Sequence, residues 1–67
     1  MRVARIDARG MRCPWPAIRA AKALREHPGE PVEVLADDPA AARELGLLAE
    51  RMGRRIEADD FRFRLLP

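Results

Sequence analysis

Six prolines, at positions 14, 16, 28, 31, 39 and 67, divide this 67-residue chain into segments that can each hold one short element. Proline has a fixed φ and no backbone N–H, so it fits the first turn of a helix or the margin of a strand and breaks the interior of either. Pro14 and Pro16 mark a helix start, Pro28-Gly29 a stop, and Pro39 a second start.

The runs between these marks have clear periods. Residues 3–7 (Val3 to Asp7) form an apolar-rich strand that ends in the loop Ala8-Arg9-Gly10. From Pro14 to His27, Ala17, Ala21 and Leu24 follow helical spacing with Ile18 alongside, and Arg19, Lys22 and Glu26 mark the other side. Val32 and Val34 flank Glu33 with the period of a second strand. Asp38 is the expected N-cap of the second helix, with Pro39 as its first residue; Ala41, Leu45, Leu48 and Met52 form its apolar stripe. Leu47 falls off that stripe and is expected to be exposed, and Gly53 is a left-handed terminator. Residues 55–59 read as a third strand and Asp59-Asp60 as a turn. Phe61, Phe63 and Leu65 then alternate with Arg62 and Arg64 in a fourth strand.

One arrangement buries all of these patterns at once. It is an α+β, two-layer βαβαββ sandwich, a four-stranded mixed sheet with two helices on one face, and the other sheet face must then be polar. Residues 1–67 read as a single domain.

The only cysteine, Cys13, stands where the first strand gives way to the first helix. With Pro14 as the first helical residue, Cys13 is the expected N-cap, facing free N–H groups and the positive end of the helix dipole. Both favour a thiolate, with a small further push from Arg9 and Arg12. Serine, threonine, aspartate or asparagine caps a helix better than cysteine, so a thiol here points to chemistry. With no second thiol, that chemistry is a persulfide or a mixed disulfide with another protein.

Thirteen basic and eleven acidic residues are interspersed and leave a net charge of +2, so no dominant polyanion-binding face is announced. No signal peptide or long apolar span is evident, and one cysteine cannot form an internal disulfide. These features predict a soluble, monomeric protein of a reducing cytoplasm, without a membrane segment.

The stretch from Ile6 to Pro16, with Gly10-Met11-Arg12-Cys13-Pro14-Trp15-Pro16 at its end, is followed by a helix, a strand and Ala36-Asp37-Asp38-Pro39-Ala40. This pattern closely resembles the TusA/SirA-like sulfur-carrier family over nearly the full length. Its hallmark is Cys-Pro-x-Pro after the first strand, and the Asp-Pro opening of the second helix is a second match. The resemblance implies the same βαβαββ sandwich. It also implies that Cys13 accepts sulfane sulfur as a persulfide from a cysteine desulfurase or rhodanese-like donor and passes it to a downstream acceptor protein. Sulfur carriers of this kind act in tRNA thiolation, molybdenum-cofactor maturation or sulfur oxidation. Arg9, Gly10, Arg12, Pro14, Trp15, Pro16, Asp38 and Pro39 would support the motif, and Glu44-Leu45 corresponds to an acidic-aliphatic pair of the family. No cofactor is implied.

Other features have plainer readings. His27 lies about 20 Å along the helix from Cys13, too far to activate it or share a metal, so no metal site is expected. Trp15 is either a partner anchor or a core residue. Asp37 and Asp38 are not expected to act as a catalytic pair, because adjacent side chains point apart. Arg54, Arg55, Arg62 and Arg64 suggest an alternative, a small RNA- or protein-binding regulatory module without sulfur chemistry. Nucleic acid is the less expected partner, because no aromatic residues interleave with these arginines.

Overall fold

The computed structural model describes residues 3–67, which form β1 (Ala4–Asp7), α1 (Trp15–Glu26), β2 (Val32–Leu35), α2 (Ala41–Arg51), β3 (Arg55–Asp59) and β4 (Arg62–Leu66). The sheet order is β1-β2-β4-β3; β1 and β2 are parallel, and β4 is antiparallel to both β2 and β3. The predicted element order and mixed four-stranded sheet are therefore observed.

The core lies between the sheet and the two helices. Val32 and Val34 of β2 and Phe63 and Leu65 of β4 are buried against Leu24 of α1 and Leu45 and Leu48 of α2. Ala20, Ala36, Ala41 and Ala49 are buried among them. Side chains this small let the helices lie close to the sheet, so a short chain fills its interior without large residues.

The opposite sheet face is polar, as expected. Arg5, Glu33, Arg64 and Glu57 fall in register across all four strands with alternating sign. Glu33 is only 6% exposed, with Arg5 Nε at 3.4 Å and Arg64 Nη2 at 3.2 Å. Opposite charges on facing strands attract, and the arginine stems shield the carboxylate while their own charged ends stay wet.

Several local expectations need correction. The first intrahelical bond of α1 runs from the Ile18 N–H to the Pro14 carbonyl, which makes Pro14, not Cys13, the N-cap. Cys13 lies one residue further out, in a turn closed by the Trp15 N–H on the Arg12 carbonyl, and Pro16 is the second helical residue. The first bond of α2 likewise runs from the Glu44 N–H to the Ala40 carbonyl, so Ala40 is its N-cap. Asp38 and Pro39 instead belong to a turn before the helix, in which the Asp38 carbonyl accepts from the Ala41 N–H and its carboxylate from the Ala40 N–H.

The buried face of α1 is also rotated from the expected one. Pro16, Ala20, Ala23 and Leu24 are buried, Ala17 and Ala21 are half-buried, and Ile18 is exposed. Alanines on several sides of this helix leave its phase ambiguous in the sequence. In α2, Ala49 takes the position expected for Met52, which is the C-cap and is exposed; Leu47 is exposed as expected. Gly53 has the left-handed φ of +68° that the terminator requires. Phe61 lies in the two-residue connection after β3, not in β4, and is exposed. Asp60 makes the turn possible with φ +54°, a conformation that aspartate tolerates better than most residues.

Candidate functional site

Because β1 and β2 are parallel and each is followed by a helix, the loops after both strands, and both helix N-termini, meet at the C-terminal ends of these strands. The β1–α1 loop begins at the fully buried Ala8, whose N–H donates to the Leu35 carbonyl at 2.7 Å. It turns at once, with the Met11 N–H donating back to the Ala8 carbonyl. Gly10 carries the turn at φ +82°, where a side chain would be strained, and its N–H donates to Asp37 Oδ1 at 2.9 Å.

Cys13 is exposed at the end of this loop, and its backbone N–H donates to Asp38 Oδ2. The other oxygen of Asp38 accepts from the Ala40 N–H at 3.1 Å. These two hydrogen bonds and the nearby positive charge of Arg12 hold the Asp38 carboxyl below its usual range. Asp38 therefore clamps the cysteine loop to the loop before α2, a larger part than the helix cap expected of it. Asp37 grips the same loop three residues earlier, so the two adjacent aspartates, expected to point apart, both serve the segment that carries the thiol.

The thiol environment differs from the expectation. Partial desolvation pushes the Cys13 thiol above its ordinary pKa, and the negative charges of Glu44 and Asp38 push in the same direction. A residue outside the N-cap lacks the close facing N–H groups of a cap, and desolvation leads the upward push, ahead of the two carboxylates. Arg9 does not offset them. It is turned onto Asp7, with Nη2 and Nε donating at 2.8 and 2.9 Å, which pulls the Asp7 carboxyl down to about 2 and raises the guanidinium.

Trp15 is 58% exposed two residues from the thiol, which excludes the core reading; Pro16 is buried, and Pro39 is exposed across a shallow depression shared with Gly10, Arg12, Asp37 and Asp38. His27 ends α1 far from the site, with Nδ1 3.8 Å from Glu30. Of the arginines near the last hairpin, Arg54 donates to the His27 and Glu30 carbonyls and Arg64 to Glu33, while Arg62 and Arg64 stand opposite Asp59 and Glu57 across the β3–β4 pair. Among the described residues no group of three histidine, cysteine or acidic side chains is arranged to hold a metal ion, and no helix is long and apolar enough to cross a membrane.

Two members of this site are not evident from the local sequence. Asp37 is hidden by its neighbour, and Glu44 sits in the first turn of a different helix. The signal that brings them in is the parallel crossover, which sets the loops after β1 and β2 side by side.

The family model described as Sulfurtransferase TusA matches residues 4–65. The chain belongs to the TusA family. A candidate sulfur carrier protein of Archaeoglobus fulgidus is 42% identical over 52 residues, which cover 76% of this chain and 68% of that protein. The crystal structure of a SirA-like protein from Desulfitobacterium hafniense superposes with a TM-score of 0.78 at 38% identity, covering 96% of this chain and 92% of the other. The TusA-family match and the solved SirA-like structure thus agree with the fold built from the strands and helices above.

Proposed function

We propose that this protein is a sulfur carrier whose Cys13 accepts a sulfane sulfur as a persulfide and relays it to an acceptor protein. The observation that carries the reading is an exposed thiol on a loop whose backbone is fixed by Asp37 and Asp38, in a chain of the TusA family. Donors of the required chemistry are cysteine desulfurases and rhodanese-like proteins that carry a persulfide. Thiolation of tRNA, molybdenum-cofactor maturation and sulfur oxidation are the processes such a relay would feed, in a reducing cytoplasm.

In loading, the Cys13 thiol gives up its proton as its sulfur attacks the outer sulfur of the donor persulfide. A new S–S bond forms at Cys13, the S–S bond of the donor breaks, and the donor leaves as a thiolate that takes up the proton. The exchange needs no outside oxidant or reductant. Asp38 and the turn at Gly10 keep the sulfur at the tip of the loop, where a partner can reach it. In the free protein desolvation and the neighbouring carboxylates favour the thiol over the thiolate, which limits its reaction with stray oxidants.

Cyanide removes sulfane sulfur as thiocyanate. After incubation with inorganic polysulfide and desalting, the protein should release one thiocyanate per chain and Cys13→Ser none. Equal release from both would remove Cys13 from the chemistry.

A further inference from the structure

Among the described residues β1 lies at one edge of the sheet and pairs with β2 alone. The Ala4 N–H donates to the Pro31 carbonyl and the Ala8 N–H to that of Leu35, so alternate residues of β1 turn toward β2. In a parallel ladder the residues between them, Arg5 and Asp7, direct their backbone N–H and carbonyl groups away from the sheet. That free edge opens into a groove whose far wall is α1. Ile6 lies in the groove, and Trp15 and Ile18 project along it at 58% and 50% exposure.

The charge in the groove is one-sided. Arg5, Arg19, Lys22 and Arg25 line it against Asp7 and Glu26; with Arg5 paired to Glu33 and Asp7 to Arg9, Arg19, Lys22 and Arg25 stand against Glu26. A second copy of this chain would bring the same cations with it. The open sheet face offers less, since its buried Glu33 is already paired with both Arg5 and Arg64.

We propose that a partner protein of the sulfur relay docks here by adding an extended, acidic strand to the free edge of β1. This rests on the carrier reading above. The strand would take its main-chain hydrogen bonds from Arg5 and Asp7. It would set alternate apolar side chains on Ile6, Trp15 and Ile18, and its acidic ones on Arg19, Lys22 and Arg25. Trp15 is two residues from Cys13, so a partner held in this groove is held beside the thiol.

The test uses the full chain labelled with nitrogen-15 and, as probe, an acetylated peptide of sequence Glu-Val-Asp-Val-Glu-Val-Asp, with lysine in place of the acids as the comparison. The acidic peptide should shift the Arg5 and Asp7 amides downfield, slow their exchange with solvent and move the Trp15 indole signal. The double variant Arg19→Glu/Lys22→Glu, altered at two exposed helix positions, should bind about tenfold or more weakly with an unchanged fold. Equal binding of the lysine peptide, shifts centred on β3 or the open sheet face, no binding at millimolar peptide, or self-association through β1 would each overturn the proposal. Loading from inorganic polysulfide in the same samples separates the two readings, because it needs Cys13 but no docked protein. Wild-type loading by the double variant assigns its defect to docking. Failure of the wild type to load would sink the carrier reading and leave the docking surface to be decided by the amide shifts.

Discussion

Glu33→Gln tests how the polar face of the sheet is held together. The glutamate is 6% exposed and meets Arg5 at 3.4 Å and Arg64 at 3.2 Å. Removing one member of a fully buried ion pair costs about 3–5 kcal/mol, because a charge is left stranded in the interior. Here the arginine side chains are 75% and 44% exposed, so water takes over both guanidinium groups once the carboxylate is gone. Glutamine keeps the stem and a carbonyl oxygen that can accept from Arg64. The loss is then that of two solvent-screened pairs, each about 0.2–1 kcal/mol, and the expected total is about 1 kcal/mol. For a domain of this size that lowers the thermal midpoint by about 4–8 °C. Calorimetry at low salt and in 1 M salt is the assay, and most of the difference should vanish at high salt, where the screening length falls to about 3 Å. A loss above about 3 kcal/mol that survives salt would refute the reasoning, since the arginines would then be acting as buried charges.

Three further perturbations address the site. Asp38→Asn keeps an oxygen for the Ala40 N–H but places an amide against the Cys13 N–H, and the displaced loop should load sulfur about tenfold more slowly while the circular dichroism stays unchanged; an unaltered rate would limit Asp38 to the turn before α2. Glu44→Gln removes the carboxylate beside Cys13, so the pH midpoint for alkylation of the thiol should fall toward that of a free cysteine; an unchanged midpoint would mean the two groups do not interact. Asp7 and Asp38 both have carboxyls that are more acidic in the folded protein, so their stabilisation is present above the unfolded carboxyl pKa of about 3.9. It should be lost as pH falls from there toward the folded values, about 2 for Asp7, and an acid titration followed by circular dichroism in which Asp7→Asn matches the wild type would exclude that residue.

Much of this fold is legible along the chain because prolines and glycines punctuate it and each element between them has one clear period. The α2 stripe through Ala41, Leu45 and Leu48 is an example, and so is the alternation of Phe63 and Leu65 with Arg62 and Arg64. The phase of α1 is harder to read, because its many alanines hardly distinguish inside from outside and only Pro16 and Leu24 anchor the buried side. The helix starts shift because capping is defined by which carbonyl accepts the first intrahelical bond. A turn ahead of each helix moves that carbonyl to Pro14 and Ala40. At the site, the motif around Cys13 is visible in one stretch, but its electrostatics come from Asp38 and Glu44, which are distant in sequence. Local reasoning sees the helix dipole and the nearby arginines. It misses the desolvation of the thiol and the carboxylates delivered across the parallel crossover, which together reverse the expected direction of the thiol pKa.

The central claim is that Cys13 carries sulfur, and the most direct test is the mass of the intact protein after incubation with a cysteine desulfurase and cysteine. The account predicts a species one sulfur atom heavier than the unmodified chain, returned to the original mass by dithiothreitol and absent from Cys13→Ser. An unchanged mass for the folded wild type with this donor and with a thiosulfate-fed rhodanese, or an equal gain by Cys13→Ser, would contradict it.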